Sequence, residues 1–321
     1  MPDHAPAVQV EVDARAGLPL ALALRKASSR FVHPGGPDRP AVRKIEMRMA
    51  RWLRRFLSSQ AEPMADQVAA IYAGRAESTG KASVPGARRI RPGTSPVLPS
   101  DPAVAAQMLD LLDFAGWQAA IPGGVGEHLV GVAVMTSEAT LEALGVTDEA
   151  MAALSRRLAT TWAYERSAEL VGMRLLPDGR VIQNPNARWA ITESTRGMLR
   201  GSVERALADG WSPDRLRADI LDSTAFDGAR ARAVARTELA FADSEGTMRG
   251  YRLSGLVRAK RWVTAHDDKV SDMCRTCEAQ GTIALDERFV TGRDAPPNHP
   301  NCRCVVTPIL EGEPDDVDQS A

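Results

Sequence analysis

The chain has 321 residues, of which 44% are hydrophobic, 25% charged and only 5% aromatic. That is enough for two or three domains of roughly 100–200 residues and lies far from the collagen-like, low-complexity and membrane classes. The net charge of −1 conceals an asymmetry: residues 1–100 hold 16 Lys and Arg against 8 Asp and Glu, and the remainder is acidic.

Residues 1–40 mix proline, glycine and charge without a period and are expected to form a poorly ordered arm. From Val42 onward Val42, Ile45, Met49, Trp52, Leu53, Phe56 and Leu57 recur at three- and four-residue steps. This predicts a basic amphipathic helical segment over 41–78, with 64–72 as a neighbour for its apolar stripe. Its other side carries Arg43, Lys44, Arg48, Arg51, Arg54 and Arg55. These are candidate phosphate-binding residues, with a solvated basic face as the plainer reading. Residues 79–102 contain five prolines and three glycines and read as a linker, because proline blocks helix continuation.

A helical body is expected over 103–255. Its first helix, 102–120, gives way to a glycine-rich turn at 123–126 and a short apolar run at 129–135. A helix capped by Thr147 follows, with a stripe through Met151, Leu154, Leu158 and Trp162 and a stop at Gly172. Pro177, Asp178 and Gly179 predict a small hairpin. Helices are then expected over 187–209, behind Ser212 and Pro213, and over 228–249.

Residues 256–310 change to short strands, 256–265 and 302–310, around a loop-rich excursion. Five acids without a base in 311–321 predict a disordered acidic tail. The fold class is therefore α+β, a mostly helical body with a small C-terminal strand-and-loop zinc-knuckle module. No stretch approaches the roughly 18–20 uninterrupted apolar residues of a membrane span, and the start has no basic-then-apolar signal, so a cytoplasmic protein away from membranes is expected.

All four cysteines fall within 274–304, whereas core cysteines would scatter. Cys274 and Cys277 are separated by two residues, as are His299 and Cys302, with Cys304 two positions later. Pairs at this spacing build tetrahedral zinc sites when both side chains of a tight turn face one ion. Five candidates compete for four places, because His299 and Cys304 are alternative fourth ligands. Two disulfides fit the parity but not a reducing cytosol, and unligated thiols beside a His299-Pro300 turn are the other alternative. A site with four protein ligands has no open position for water, so the expected zinc is structural.

Three pieces occur in order: a helix with Ala235-Arg236-Thr237-Glu238, the stretch Lys260-Arg261-Trp262-Val263-Thr264 before Asp267, and the cysteine pair leading to Pro296-Pro297-Asn298-His299-Pro300-Asn301-Cys302-Arg303-Cys304. In this order they resemble the Mu F-like head morphogenesis family of tailed phages and prophages. The likeness covers about residues 151–310 and says little of 1–100. The resemblance implies a minor head protein associated with the portal and with capsid or scaffold proteins, made in the host cytoplasm and carried in the virion. It implies a role in assembling a DNA-filled head, with DNA a further partner, and neither a membrane nor a small-molecule substrate. Arg236, Glu238, Trp262, Asp267 and Arg303 carry over as motif or partner-contact residues. Trp262 is expected in the core beneath the knuckle, and Arg303 is expected to turn from the metal toward an acidic neighbour or a phosphate.

Two other classes of function compete with this reading. A zinc-stabilised nucleic-acid-binding module would use the basic segment. A metal-dependent nuclease or hydrolase would use His266 and Asp267, the one place where a histidine adjoins carboxylates. The glycines near Lys81 and at 124–126 lack the spacing of a phosphate loop or a dinucleotide fingerprint. No catalytic residue is assigned, and the protein is not expected to be an enzyme.

Overall fold

The structure is a computed structural model that describes residues 39–81 and 102–312, with side chains left out for 76–81. The arm over 1–38, most of the linker and the tail from 313 lie outside the described residues.

Helix α1, Pro40–Lys81, is one unbroken helix of 42 residues with Pro63 inside it, not two packed segments. An internal proline removes a backbone hydrogen bond, at a cost of about 3 kcal/mol. Burial of Leu57, Met64, Ala65 and Val68 on both sides of it opposes that cost, since packing outweighs local propensity in a core helix. Helix α2 is Pro102–Asp110 and α3 is Ala115–Ala143.

The glycine-rich segment expected to turn lies in the middle of α3. Gly124 is there because the Trp52 ring of α1 occupies the position of a side chain: a Cβ on Gly124 would fall 1.9 Å from that ring. Here glycine lets two helices approach, which outweighs its entropic cost in a helix. By length and composition α3 could cross a membrane; in the fold it is the central helix, packed against α1, α4 (Glu149–Glu169) and α7 (Gly228–Ser254).

Helix α4 is capped by Asp148, one residue beyond the expected Thr147, with the Asp148 side chain accepting from the Met151 N–H. Its buried face also differs from expectation. Ser155, Ala159, Ala163 and Ser167 are buried, whereas Leu158 is 37% exposed. The small face wins because α3 approaches closely enough for the Ser137 and Ser155 hydroxyls to hydrogen-bond. The hairpin is present as β1 (Met173–Leu175) paired antiparallel with β2 (Val181–Gln183). Helices α5 (Ile191–Asp209), closed by left-handed Gly210, and α6 (Pro213–Leu221), capped by Ser212, follow the sequence reading.

The C-terminal part is a three-stranded antiparallel sheet in the order β4-β3-β5, with β3 Val257–Val263, β4 Thr282–Ala284 and β5 Val305–Leu310. The excursion expected to be loops also holds a helix, α8, over Asp272–Ala279. The module is seated on α7 by hydrogen bonds and packing: Tyr251 Oη donates to the Val306 carbonyl at 3.1 Å, the Asn301 N–H donates to Thr237 Oγ1 at 3.1 Å, Arg252 donates to Asp294, and Met248 and Tyr251 pack against Val257, Val306 and Leu310.

Candidate metal centre and its supports

Cys274 and Cys277 stand on α8, not in a tight turn. Ser271 accepts from the Cys274 N–H and starts the helix there. The three-residue separation therefore places both thiols on one helical face, turned into the module's core. Cys302 and Cys304 precede β5 and are buried, with Cys274, Cys277 and Trp262, in one cluster.

The ligand atoms of Cys274, His299 and Cys302 all lie within 4.8 Å of one another, a group that could hold a metal ion. The Cys274 and Cys302 sulfurs are 3.7 Å apart, and all four cysteines are free thiols. Two thiolates bound tetrahedrally to one zinc at about 2.3 Å would stand about 3.8 Å apart, so the separation suits a shared ion. The His299 Nδ1 donates to the Pro300 carbonyl at 2.9 Å. This assigns the ring proton to Nδ1 and leaves Nε2 with a lone pair, the arrangement usual for a metal-bound histidine.

The remaining thiols differ. Cys277 is hydrogen-bonded to Thr291 Oγ1 at 3.2 Å. That hydroxyl donates to Asn298 Oδ1, so the Cys277 S–H is the donor. Asn298 Nδ2 in turn donates to Cys277 at 3.3 Å and to Cys274 at 3.8 Å. Cys277 thus has hydrogen-bond partners outside the other thiols. Cys304 instead shares protons with Cys274 and Cys302: its hydrogen bonds to Cys274 and then Cys302 push its thiol up, while those from Cys274 and then Cys304 pull the Cys302 thiol down. Such a cluster holds one thiolate readily and resists a second until a cation enters. The Trp262 Nε1, fully buried, makes no hydrogen bond, yet its position favours the Cys304 thiolate. An ionised sulfur there would give this donor its acceptor.

The other motif residues hold the module in place. Glu238 does not pair with Arg236, which is half-buried on the same helix. It takes a two-pronged ion pair from Arg166 of α4, at 2.8 and 2.9 Å, with both side chains buried. Thr237, between them, receives the Asn301 N–H. One motif thus clamps a neighbouring helix and supports the cysteine loop.

Arg303 meets Asp267, also two-pronged, at 2.6 and 2.7 Å. The expected acidic neighbour is therefore another motif residue. His266 Nε2 is 2.8 Å from Glu278 Oε1, so His266 and Asp267 have separate partners. Trp262 packs edge-on against Phe289 at 5.1 Å, beneath the cysteines as expected. Arg43, Lys44, Arg48, Arg51, Arg54 and Arg55 are all exposed on α1.

Arg166 and Asn298 escaped the sequence reading. Arg166 has no local signal, since its partner is 72 residues away. Asn298 was visible inside the motif string but carries no metal-ligand chemistry.

A family model described as "Phage Mu protein F like protein" matches residues 197–307. A protein of Bacillus subtilis (strain 168) described as "Uncharacterized protein YqbB" is 26% identical over 133 residues, which are 37% of this chain and 44% of that protein. The chain therefore spans less than half the length of this curated relative. No solved structure matches the chain.

Proposed function

We propose that the chain is a minor head protein of a phage or prophage, acting in head morphogenesis beside the portal and the capsid or scaffold proteins. Its C-terminal module would be held by a structural zinc ion. The observation that carries this reading is the Phage Mu protein F like match over 197–307. That span takes in both the α7 motif and the cysteine loop it supports. In this reading the chain is made in the host cytoplasm and ends in the virion head.

Zinc would be held by Cys274, His299 and Cys302, with Cys304 as the fourth ligand because Cys277 is already satisfied by Thr291 and Asn298. A four-ligand site leaves no position for water, so the ion supplies folding free energy and no reaction is assigned. Freshly purified chain should carry about one zinc. Cys304→Ser should lower zinc occupancy more than Cys277→Ser; the reverse order would give the place to Cys277. For the head role, deleting the gene from an inducible prophage should leave portal-containing heads that fail to mature. Normal yields of DNA-filled particles would end this reading.

A second reading, a zinc-stabilised nucleic-acid-binding module, is favoured by the exposed basic row on α1, from Arg43 to Arg55. It predicts binding that weakens steeply as salt rises, as phosphate contacts do. The hydrolase reading is weaker, because Asp267 is held by Arg303 and His266 by Glu278.

A further inference from the structure

A second cluster of chemistry lies away from the thiols, in a cavity of about 220 Å³ between the helical body and the C-terminal module. Arg188 comes from the segment before α5, and Arg288 and Arg293 come from the loop after β4; all three line this cavity. Three cations at one opening repel one another, and proteins ordinarily place carboxylates among them.

Two carboxylates, Glu245 and Asp294, share the lining with them, and both are already engaged by other cations. Asp294 is paired with Arg252 and Lys260, and Glu245 with Arg249. Glu169, the acid that faces Arg293 from α4, takes Arg166 on Oε2 and the Arg188 backbone N–H on Oε1. Among the described residues, no carboxylate forms an ion pair with Arg188, Arg288 or Arg293.

The cavity is also built for rigidity. The Arg293 guanidinium lies 4.9 Å from the Trp189 ring centre and 5.7 Å from that of Phe241. Stacking on aromatic rings fixes the plane of a guanidinium while leaving its N–H edge open to a planar or tetrahedral oxyanion. Trp189 stands at φ 53°, a left-handed conformation that a bulky residue rarely adopts, and such strain tends to be kept where a side chain must be aimed. Ser244, on α7, lines the same cavity. Burial, followed by the nearby charges of Arg188 and Arg166, pulls the Arg293 guanidinium below its ordinary range. A bound anion would relieve this.

We propose that Arg188, Arg288 and Arg293 form a binding pocket for a phosphate group at the seam between the helical body and the cysteine-bearing module. The volume suits one phosphate and its water and not a whole nucleotide, since pockets for small organic ligands run from about 300 Å³ upward. The phosphate is either free in solution or one group of a nucleic-acid backbone; both present the same oxyanion to the three guanidiniums.

The experiment uses the full chain as purified. Inorganic phosphate is titrated by calorimetry at low salt against wild type, against Arg188→Gln with Arg288→Gln, and against a control pair, Arg157→Gln on α4 with Arg200→Gln on α5. Both pairs are exposed, so the fold should survive, and circular dichroism checks it. The pocket pair should weaken phosphate binding at least fivefold and the control pair should not.

A short DNA duplex then distinguishes the sources. If its affinity falls by a similar factor in the pocket pair and phosphate competes with it, the backbone is the ligand. If duplex binding ignores the pocket pair, the ligand is free phosphate. Equal phosphate affinity in wild type and pocket pair, or no phosphate binding beyond that of chloride, overturns the proposal. This outcome is independent of the zinc and head-assembly readings, which rest on other residues.

Discussion

At the scale of single residues, the buried Arg166–Glu238 pair is where a substitution should have the largest effect. Burial alone would lower the Arg166 guanidinium, but the charge and hydrogen bonds of Glu238, followed by those of Glu169, outweigh it and raise it overall. Glu238→Ala leaves that cation buried without its main partner, which costs about 3–5 kcal/mol. Glu238→Gln, keeping a hydrogen-bond acceptor, should cost less. Urea denaturation measures both, and a loss under about 1 kcal/mol for the alanine variant would contradict the clamp.

A gentler test is Asp294. Burial would raise its carboxyl, but hydrogen bonds from Lys260 and Arg252 lower it below the usual range. A carboxyl lowered in the folded state stabilises above its unfolded value, near pH 4, and loses that contribution as pH falls through the still lower folded value. Asp294→Asn should therefore melt below wild type at neutral pH, with the gap closing as pH falls below the usual carboxylate range. Melting curves that stay parallel over that fall in pH would refute the assignment. The motif string made Glu238 visible in the sequence, but neither Arg166 nor Lys260 could be paired by reading. Ion pairs across dozens of residues leave no periodic trace.

At the scale of elements, helix packing shows why some boundaries were legible and others were not. Hydrophobic period, caps and stop signals located α1, α5, α6 and α7 because those signals are local. Gly124, Gly246 and Gly250 are different: they are small because another helix lies against them, and that helix cannot be seen from their neighbours in sequence. The same holds for Ser155 and Ala159, which are buried while Leu158 is not. Helix α8 was missed for another reason, since eight residues are too few to show a period, although Ser271 followed by Asp272 was a readable start signal.

A pair of substitutions separates the two roles of glycine. A Cβ on Gly246 would come within 2.5 Å of the Ala133 carbonyl and 2.9 Å of Thr136 Cβ. Gly246→Val must push α7 from α3 and should cost on the order of 1–3 kcal/mol or more. Gly197, inside α5, has nothing within 4 Å of its Cβ position. Gly197→Ala should stabilise by about 0.5–1 kcal/mol, because only the flexibility of glycine is removed. Thermal unfolding of the two variants should shift in opposite directions, and shifts of the same sign would show that packing is not what distinguishes the sites.

At the scale of the whole molecule, the apolar interior is divided. One cluster joins α1 through α7, from Val42 to Ala242, a second gathers Trp262, Phe289 and the four cysteines, and a third packs Leu144, Met248 and Tyr251 of the body against Val257, Val306 and Leu310 of the sheet. The second is small and has thiols where a larger core would have aliphatic side chains, so a metal that cross-links them would supply much of its stability. The helical core contains none of the candidate ligands and should not depend on the ion. Adding a strong chelator should therefore open residues 264–304 to limited proteolysis and alter the fluorescence of Trp262, while the helical circular dichroism signal is largely kept. Thermal melting in chelator should split into a low transition from the module and a higher one from the helices. The seam bonds from Tyr251 to Val306 and from Asn301 to Thr237 join the helical body to the module, so some lowering of the upper transition is expected as well. A single, unshifted transition would mean that the thiol cluster is held by packing alone, and the structural role assigned to zinc would fall with it.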